Sequence, residues 1–112
     1  MAILSDLTSP AELDAAVAAP GLLMLDVYTQ ACVICRRMEP MVAAVASGGA
    51  VRAHKVDAER LVDFAVKHDI RGVPTVLLFR DGRLIDRRSG FLTASELRDW
   101  IGAQARASEA RR

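Results

Sequence analysis

The stretch Leu22-Leu23-Met24-Leu25-Asp26-Val27-Tyr28-Thr29-Gln30-Ala31-Cys32-Val33-Ile34-Cys35 decides how the rest of the chain is read. Its first half is apolar almost throughout, with Asp26 the one charge. A continuous apolar run of strand length is the pattern of a β-strand covered on both faces, as in a parallel sheet with helices on each side. Its second half holds Cys32 and Cys35, the only cysteines in 112 residues. A bridge across so short a segment closes almost no chain and would stabilise a fold little. The pair is there for chemistry, for a metal, or by chance.

Outward from this stretch, the pattern alternates between strand and helix. On the C-terminal side a helix is predicted from about Val33 to Ser47, with Met38, Met41, Val42 and Val45 at helical spacing. Pro40 should kink it, and Gly48-Gly49 should end it. Val51 to Val56 reads as a strand, and Glu59 to His68 as a helix with an apolar stripe of Leu61, Val62, Ala65 and Val66. Val73 to Phe79 is a second continuous apolar run, and Asp81-Gly82 a hairpin turn into a strand over Arg83 to Ser89. Gly90 breaks that strand. Thr93-Ala94-Ser95-Glu96 is a capping box opening a helix with Leu97, Trp100 and Ile101 on one face. On the N-terminal side, Ile3 to Leu7 reads as a short edge strand. Ser9-Pro10-Ala11-Glu12 then opens a helix, with Ser9 as cap, Pro10 at the first turn and Glu12 completing the box; Pro20-Gly21 ends it. The resulting order, β-α-β-α-β-α-β-β-α, implies an α/β fold with a parallel portion and an antiparallel edge hairpin.

The composition fits one globular domain, with 52% hydrophobic and 26% charged residues. We place the domain at 1–105 and expect a polar tail over 106–112 to fray, its Arg106, Arg111 and Arg112 serving solubility. Fifteen Lys and Arg against fourteen Asp and Glu leave a net charge of +1, which argues against a nucleic-acid binder. No secretory pattern opens the chain and no apolar run approaches the about 18 residues of a membrane span, so the expected location is the cytoplasm. A cysteine pair there is expected to be redox-active or metal-bound. A metal reading fares poorly. A zinc site needs about four ligands, and His54 and His68 fall on elements away from the cysteines. A site shared between two chains is less favoured still. His68, near a helix end, is expected to complement the helix dipole. The four methionines sit at core-like positions.

Redox chemistry suits the position of the pair. Cys32 falls where a buried strand meets a helix N-terminus, whose free N–H groups and dipole favour a thiolate. Cys35 lies one turn in and more buried, so Cys32 should attack and Cys35 resolve. Arg36 and Arg37 add positive charge beside them. Asp26, on a central strand, should have its pKa raised by desolvation.

At this point the chain resembles the thioredoxin family over nearly its whole length. The matching stretches are Leu25-Asp26-Val27-Tyr28, Cys32-x-x-Cys35, Pro40, Lys55-Val56-Asp57, Arg71-Gly72-Val73-Pro74-Thr75, Leu78-Phe79-Arg80-Asp81-Gly82 and Gly90. The resemblance implies the thioredoxin fold, a central mixed sheet of about five strands flanked by four helices in three α/β/α layers. It implies a thiol–disulfide oxidoreductase acting on protein substrates, with no organic cofactor and with a thioredoxin reductase or another thiol donor to recycle it. It further implies that Pro74 is cis and faces the disulfide, and that Val73 offers its backbone to an extended substrate. Asp26 is implied to lie beneath Cys35 and move its proton, with Lys55 nearby offsetting the desolvation.

Two positions depart from the family pattern. Val33-Ile34 replaces the usual Gly-Pro between the cysteines, restoring an Ile34 N–H that could donate to the Cys32 thiolate. Two bulky apolar side chains there oppose charge. We expect the amide to prevail, making the pair more oxidising. Ala31 replaces a tryptophan, while Tyr28 keeps an aromatic at the position of the family's other one. Ala31, Val33, Ile34, Val73 and Gly90 are then expected to form an apolar rim suited to an extended peptide. The changed rim also motivates a second reading, a thioredoxin-fold binding or assembly module with little redox turnover.

Overall fold

The computed structural model describes residues 4–110. The elements are β1 (Ser5–Asp6), α1 (Pro10–Ala18), β2 (Leu22–Tyr28), α2 (Val33–Ala46), β3 (Arg52–Asp57), α3 (Val62–Lys67), β4 (Thr75–Arg80), β5 (Arg83–Ser89) and α4 (Ala94–Ala110). They follow the predicted order. Of the expected first strand, Ile3 lies outside the described residues, as do Arg111 and Arg112 of the tail.

One five-stranded sheet runs β1-β3-β2-β4-β5. The β1–β3 and β3–β2 pairs are parallel, and the β2–β4 and β4–β5 pairs are antiparallel. The central strand β2 buries Leu23 to Val27, and the period of two sorts these side chains onto the two faces. Leu23, Leu25 and Val27 join Leu13, Leu61, Phe64, Leu77 and Phe79 on the face covered by α1 and α3. Met24, Val76 and Leu78 join Met38, Val42, Leu97 and Trp100 on the face covered by α2 and α4. Asp26 has the parity of Met24, so it faces α2. The apolar run of β2 thus reflects burial on both sides.

Local signals set the boundaries. Ser9 Oγ accepts from Glu12 N at 3.2 Å. The carboxylate of Glu12 turns instead to Thr8, accepting from its N and its Oγ1 at 2.8 Å each. At α4 the box is reciprocal: Thr93 Oγ1 accepts from Glu96 N at 3.1 Å and Glu96 Oε1 from Thr93 N at 2.9 Å. Asp81 and Gly82 both take positive φ, 51° and 85°, as a two-residue hairpin with the twist of its strands requires. Helix α2 continues through Pro40 to Ala46.

Three expectations are corrected. Helix α3 is shorter than predicted. Asp57 draws the start of the segment into a turn, its Oδ1 accepting from Glu59 N at 2.9 Å and its carbonyl from Arg60 N and Leu61 N. Its buried face is Leu61 and Phe64, whereas Val62 and Val66 are exposed by 52% and 74%. His68 does not serve as a cation at the helix end. Its ring lies 4.5 Å from that of Phe64 and 5.9 Å from that of Phe79, and desolvation, then Lys67 and Arg87, pushes its pKa down. The guanidinium of Arg87 fills the dipole-complementing role, donating to the carbonyls of His68 and Asp69. Finally, α4 runs on through Ala105 to Ala110 rather than fraying. Arg80 holds it there, donating to Ala105 O at 3.1 Å and to Ser108 Oγ at 3.2 Å, and Ser108 is buried.

Candidate active site

The cysteines sit at the C-terminal end of β2, where the chain turns into α2. Cys32 and Cys35 are joined as a disulfide, with Cα atoms 5.2 Å apart. Cys32 is the N-cap residue of α2, and its sulfur accepts from Cys35 N at 3.1 Å. The sulfur thus occupies the place where a capping oxygen usually satisfies a free helix N–H. In the disulfide, and among the described residues, the amide bonded to Cys32 Sγ is that of Cys35. Cys32 is half-buried, while Cys35 is only 3% exposed. That difference places one sulfur within reach of another molecule and the other behind it.

Opposite the pair, the Val73–Pro74 peptide is cis. Cys32 Sγ lies 3.9 Å from the Val73 carbonyl oxygen. Pro74 is buried and Val73 half-buried. Gly90, at φ 91°, donates its N–H to Pro74 O at 2.9 Å, so the end of β5 is tied alongside. Around this centre Ala31, Val33, Ile34 and Gly90 are exposed. Val33 and Ile34 are exposed by 55% and 51%. Phe91, next to Gly90, is 43% exposed. The sequence reading passed over it, although an aromatic directly after the strand-breaking glycine was the available signal.

Behind the pair is a cavity of about 240 Å³ lined by Cys35, Asp26, Glu39, Lys55 and Tyr28, among others. Asp26 is 1% exposed, and its Oδ1 has no hydrogen-bond partner among the described residues. Burial raises its pKa from 3.8 to about 7, with the Glu39 charge adding to the rise and the Lys55 charge opposing it. Lys55 is the register partner of Asp26 on β3, as expected. Its Nζ is paired with Glu39 Oε1 at 3.1 Å, an acid the sequence reading did not bring into the site. Tyr28 belongs to this cavity. Its hydroxyl donates to Asp6 Oδ2 at 2.5 Å, and Lys55 Nζ lies 5.2 Å from its ring centroid. Burial, then the bond to Asp6, raises the phenol's pKa. Arg36 donates to Gln30 O at 3.0 Å.

The histidines stand apart from the cysteines. His68 packs with Phe79 and Phe64, which belong to the opposite face of the sheet. His54 lies on β3 with its Nδ1 buried and without a hydrogen-bond partner among the described residues. Among the described residues no group of three or more His, Cys, Asp or Glu is placed to hold a metal ion, and no helix is long and apolar enough to cross a membrane.

A cysteine pair at a helix N-terminus, one sulfur accessible and one buried, with an acid behind it, defines a thiol–disulfide exchange centre. The comparisons agree. The thioredoxin family matches residues 5–103. A thioredoxin of Mycoplasmoides gallisepticum is 30% identical over 96 residues, covering 85% of this chain and 96% of that one. The X-ray structure of Fasciola hepatica thioredoxin superposes with a TM-score of 0.81 at 29% identity, over 90% of this chain and 99% of that one. A mutant thioredoxin from Halobacterium salinarum gives a TM-score of 0.83 at 27% identity, over 89% and 88%. The chain belongs to the thioredoxin family, and it is a thiol–disulfide oxidoreductase.

Proposed function

We propose that Cys32 is the attacking sulfur, Cys35 the resolving one, and Asp26 the group that exchanges a proton with Cys35. The observation that carries this assignment is the asymmetry of the pair: Cys32 caps α2 within reach of solvent, and Cys35 is 3% exposed beside the Asp26 cavity. In the reducing direction, the Cys32 thiolate attacks one sulfur of a substrate disulfide and releases the other as a thiolate. Asp26 takes the proton of Cys35. The Cys35 thiolate then attacks Cys32 Sγ, releasing the second substrate thiolate and leaving the Cys32–Cys35 disulfide. Two electrons pass from the pair to the substrate, and the reverse sequence oxidises a dithiol. Lys55 tunes Asp26 through its charge.

The substrates are protein disulfides or thiols. An extended segment docks along Val73 and Pro74 by backbone pairing, against the apolar rim of Ala31, Val33, Ile34 and Gly90, with Phe91 as its aromatic member. A thioredoxin reductase or another thiol donor recycles the pair, and the working compartment is the cytoplasm. Insulin reduction with dithiothreitol tests the roles. Cys32→Ser abolishes activity, and Cys35→Ser accumulates mixed disulfides through Cys32. Accumulation through Cys35 in Cys32→Ser, with none through Cys32 in Cys35→Ser, would reverse the assignment.

A further inference from the structure

Glu39 stands one helical turn beyond Cys35 on α2, and side chains four apart share a helix face. It therefore looks into the same cavity as the buried sulfur. Asp26 and Lys55 are direct neighbours across β2 and β3, a spacing at which an ammonium on a long flexible stem can reach a carboxylate. The Lys55 head group goes elsewhere. Its Nζ bonds Glu39 Oε1 at 3.1 Å, and Asp26 Oδ1 is left unpartnered. The Lys55 and Glu39 side chains are 22% and 37% exposed, whereas Asp26 is 1% exposed. The ion pair thus forms the outer wall of the cavity and Asp26 its floor.

We propose, on the reading that Asp26 serves Cys35, that Glu39 is a positioning residue: it holds the Lys55 ammonium at the cavity mouth and leaves Asp26 without a direct cationic partner. The other charged or titratable groups facing the cavity have contacts of their own. Asp6 of β1 accepts from the Tyr28 hydroxyl of β2, and Arg36 of α2 donates to Gln30 O. From β4 the register partner of Asp26 is the apolar Val76. Glu39 is thus the acid that competes with Asp26 for Lys55. An Asp paired with a nearby cation titrates lower, and one beside a second carboxylate titrates higher. Glu39 acts in both senses, and the pKa of Asp26 rises to about 7 with Glu39 among the causes.

The test is Glu39→Gln, which keeps the shape and removes the charge. The carboxyl carbon of Asp26 is titrated by ¹³C NMR in the oxidised protein, where no thiol titrates. The expected result is a fall in the Asp26 midpoint of about one pH unit, and a distinctly smaller fall when Glu39→Gln is made in a Lys55→Gln background. An unmoved or raised midpoint overturns the proposal. An equal fall in both backgrounds also overturns it, because Glu39 would then act without Lys55. The pH profile of insulin reduction is recorded beside it for Asp26→Asn. A profile unchanged by Asp26→Asn removes the proton role of Asp26 itself, a result distinct from the NMR outcome for Glu39.

Discussion

Replacing Asp26 with asparagine should stabilise the oxidised protein, by an amount that grows with pH. The carboxyl titrates at 3.8 when unburied and at about 7 in the fold. Because the folded pKa is the higher one, the folded state binds more protons than the unfolded state between those values. Stability from this group is therefore complete below 3.8 and is lost as pH rises through about 7. At about 1.4 kcal/mol per pH unit, the raised carboxyl pKa costs the wild type about 1 kcal/mol at pH 4.5, through proton uptake on folding, and about 4 kcal/mol at pH 8.5, where the buried group is ionised. The asparagine introduced by Asp26→Asn carries no charge, so its packing effect is the same at both pH values and cancels in the difference. The stability gap should widen by about 3 kcal/mol, with water entering the 240 Å³ cavity acting to reduce it. Urea unfolding of both proteins at the two pH values reads this directly. With a slope of about 2 kcal/mol/M, the gap between their midpoints should grow by about 1.5 M. A gap that stays constant from pH 4.5 to 8.5 would refute the claim that burial holds a proton on Asp26.

The Ile34→Pro variant removes a backbone N–H from the first turn of α2, a place that tolerates proline. The wild-type potential should lie above about −270 mV in a glutathione titration and the variant's should fall toward that value; a wild-type value at or below it sinks the idea. Phe91→Ala should raise the KM for insulin several-fold with kcat unchanged, and an unchanged KM would remove Phe91 from the docking rim. Thr93→Ala deletes the reciprocal cap of α4 and should lower the unfolding free energy by about 1 kcal/mol, checked by urea titration at constant pH.

The architecture was legible because its signals are local. Both faces of β2 are covered, so Leu22 to Val27 reads as apolar apart from Asp26; the Asp81-Gly82 turn and the Thr93 box are each written within a few residues. What escaped the sequence reading depends on distant partners. The α3 segment admits two helical stripes, Leu61–Val62–Ala65–Val66 and Leu61–Phe64–His68. Aliphatic content favours the first, but the fold sets the His68 ring against those of Phe64 and of Phe79 on β4. Nothing near Ser108 announces its burial, since the side chain that anchors it is Arg80, from the distant strand β4. Glu39 was illegible for the same reason. On a helix surface it looks like any exposed acid, and only the crossing of α2 over β3 brings it to Lys55.

The two departures from the family pattern separate what the site does from what it meets. In the proposed mechanism, attack by Cys32 draws on the amide of Cys35 and on the free N–H groups opening α2, all of them main-chain. On the same proposal, resolution draws on the burial of Cys35, and proton exchange on Asp26, Lys55 and the cavity they share. None of these uses the side chains at Ala31, Val33 or Ile34. Those side chains are exposed, and on the proposed reading they meet a docking partner. Changing them therefore alters recognition directly, and the redox poise only through the one backbone amide that Ile34 has and proline lacks. Because one amide bears on poise and the apolar rim bears on docking, poise and partner choice should vary independently in variants of these positions.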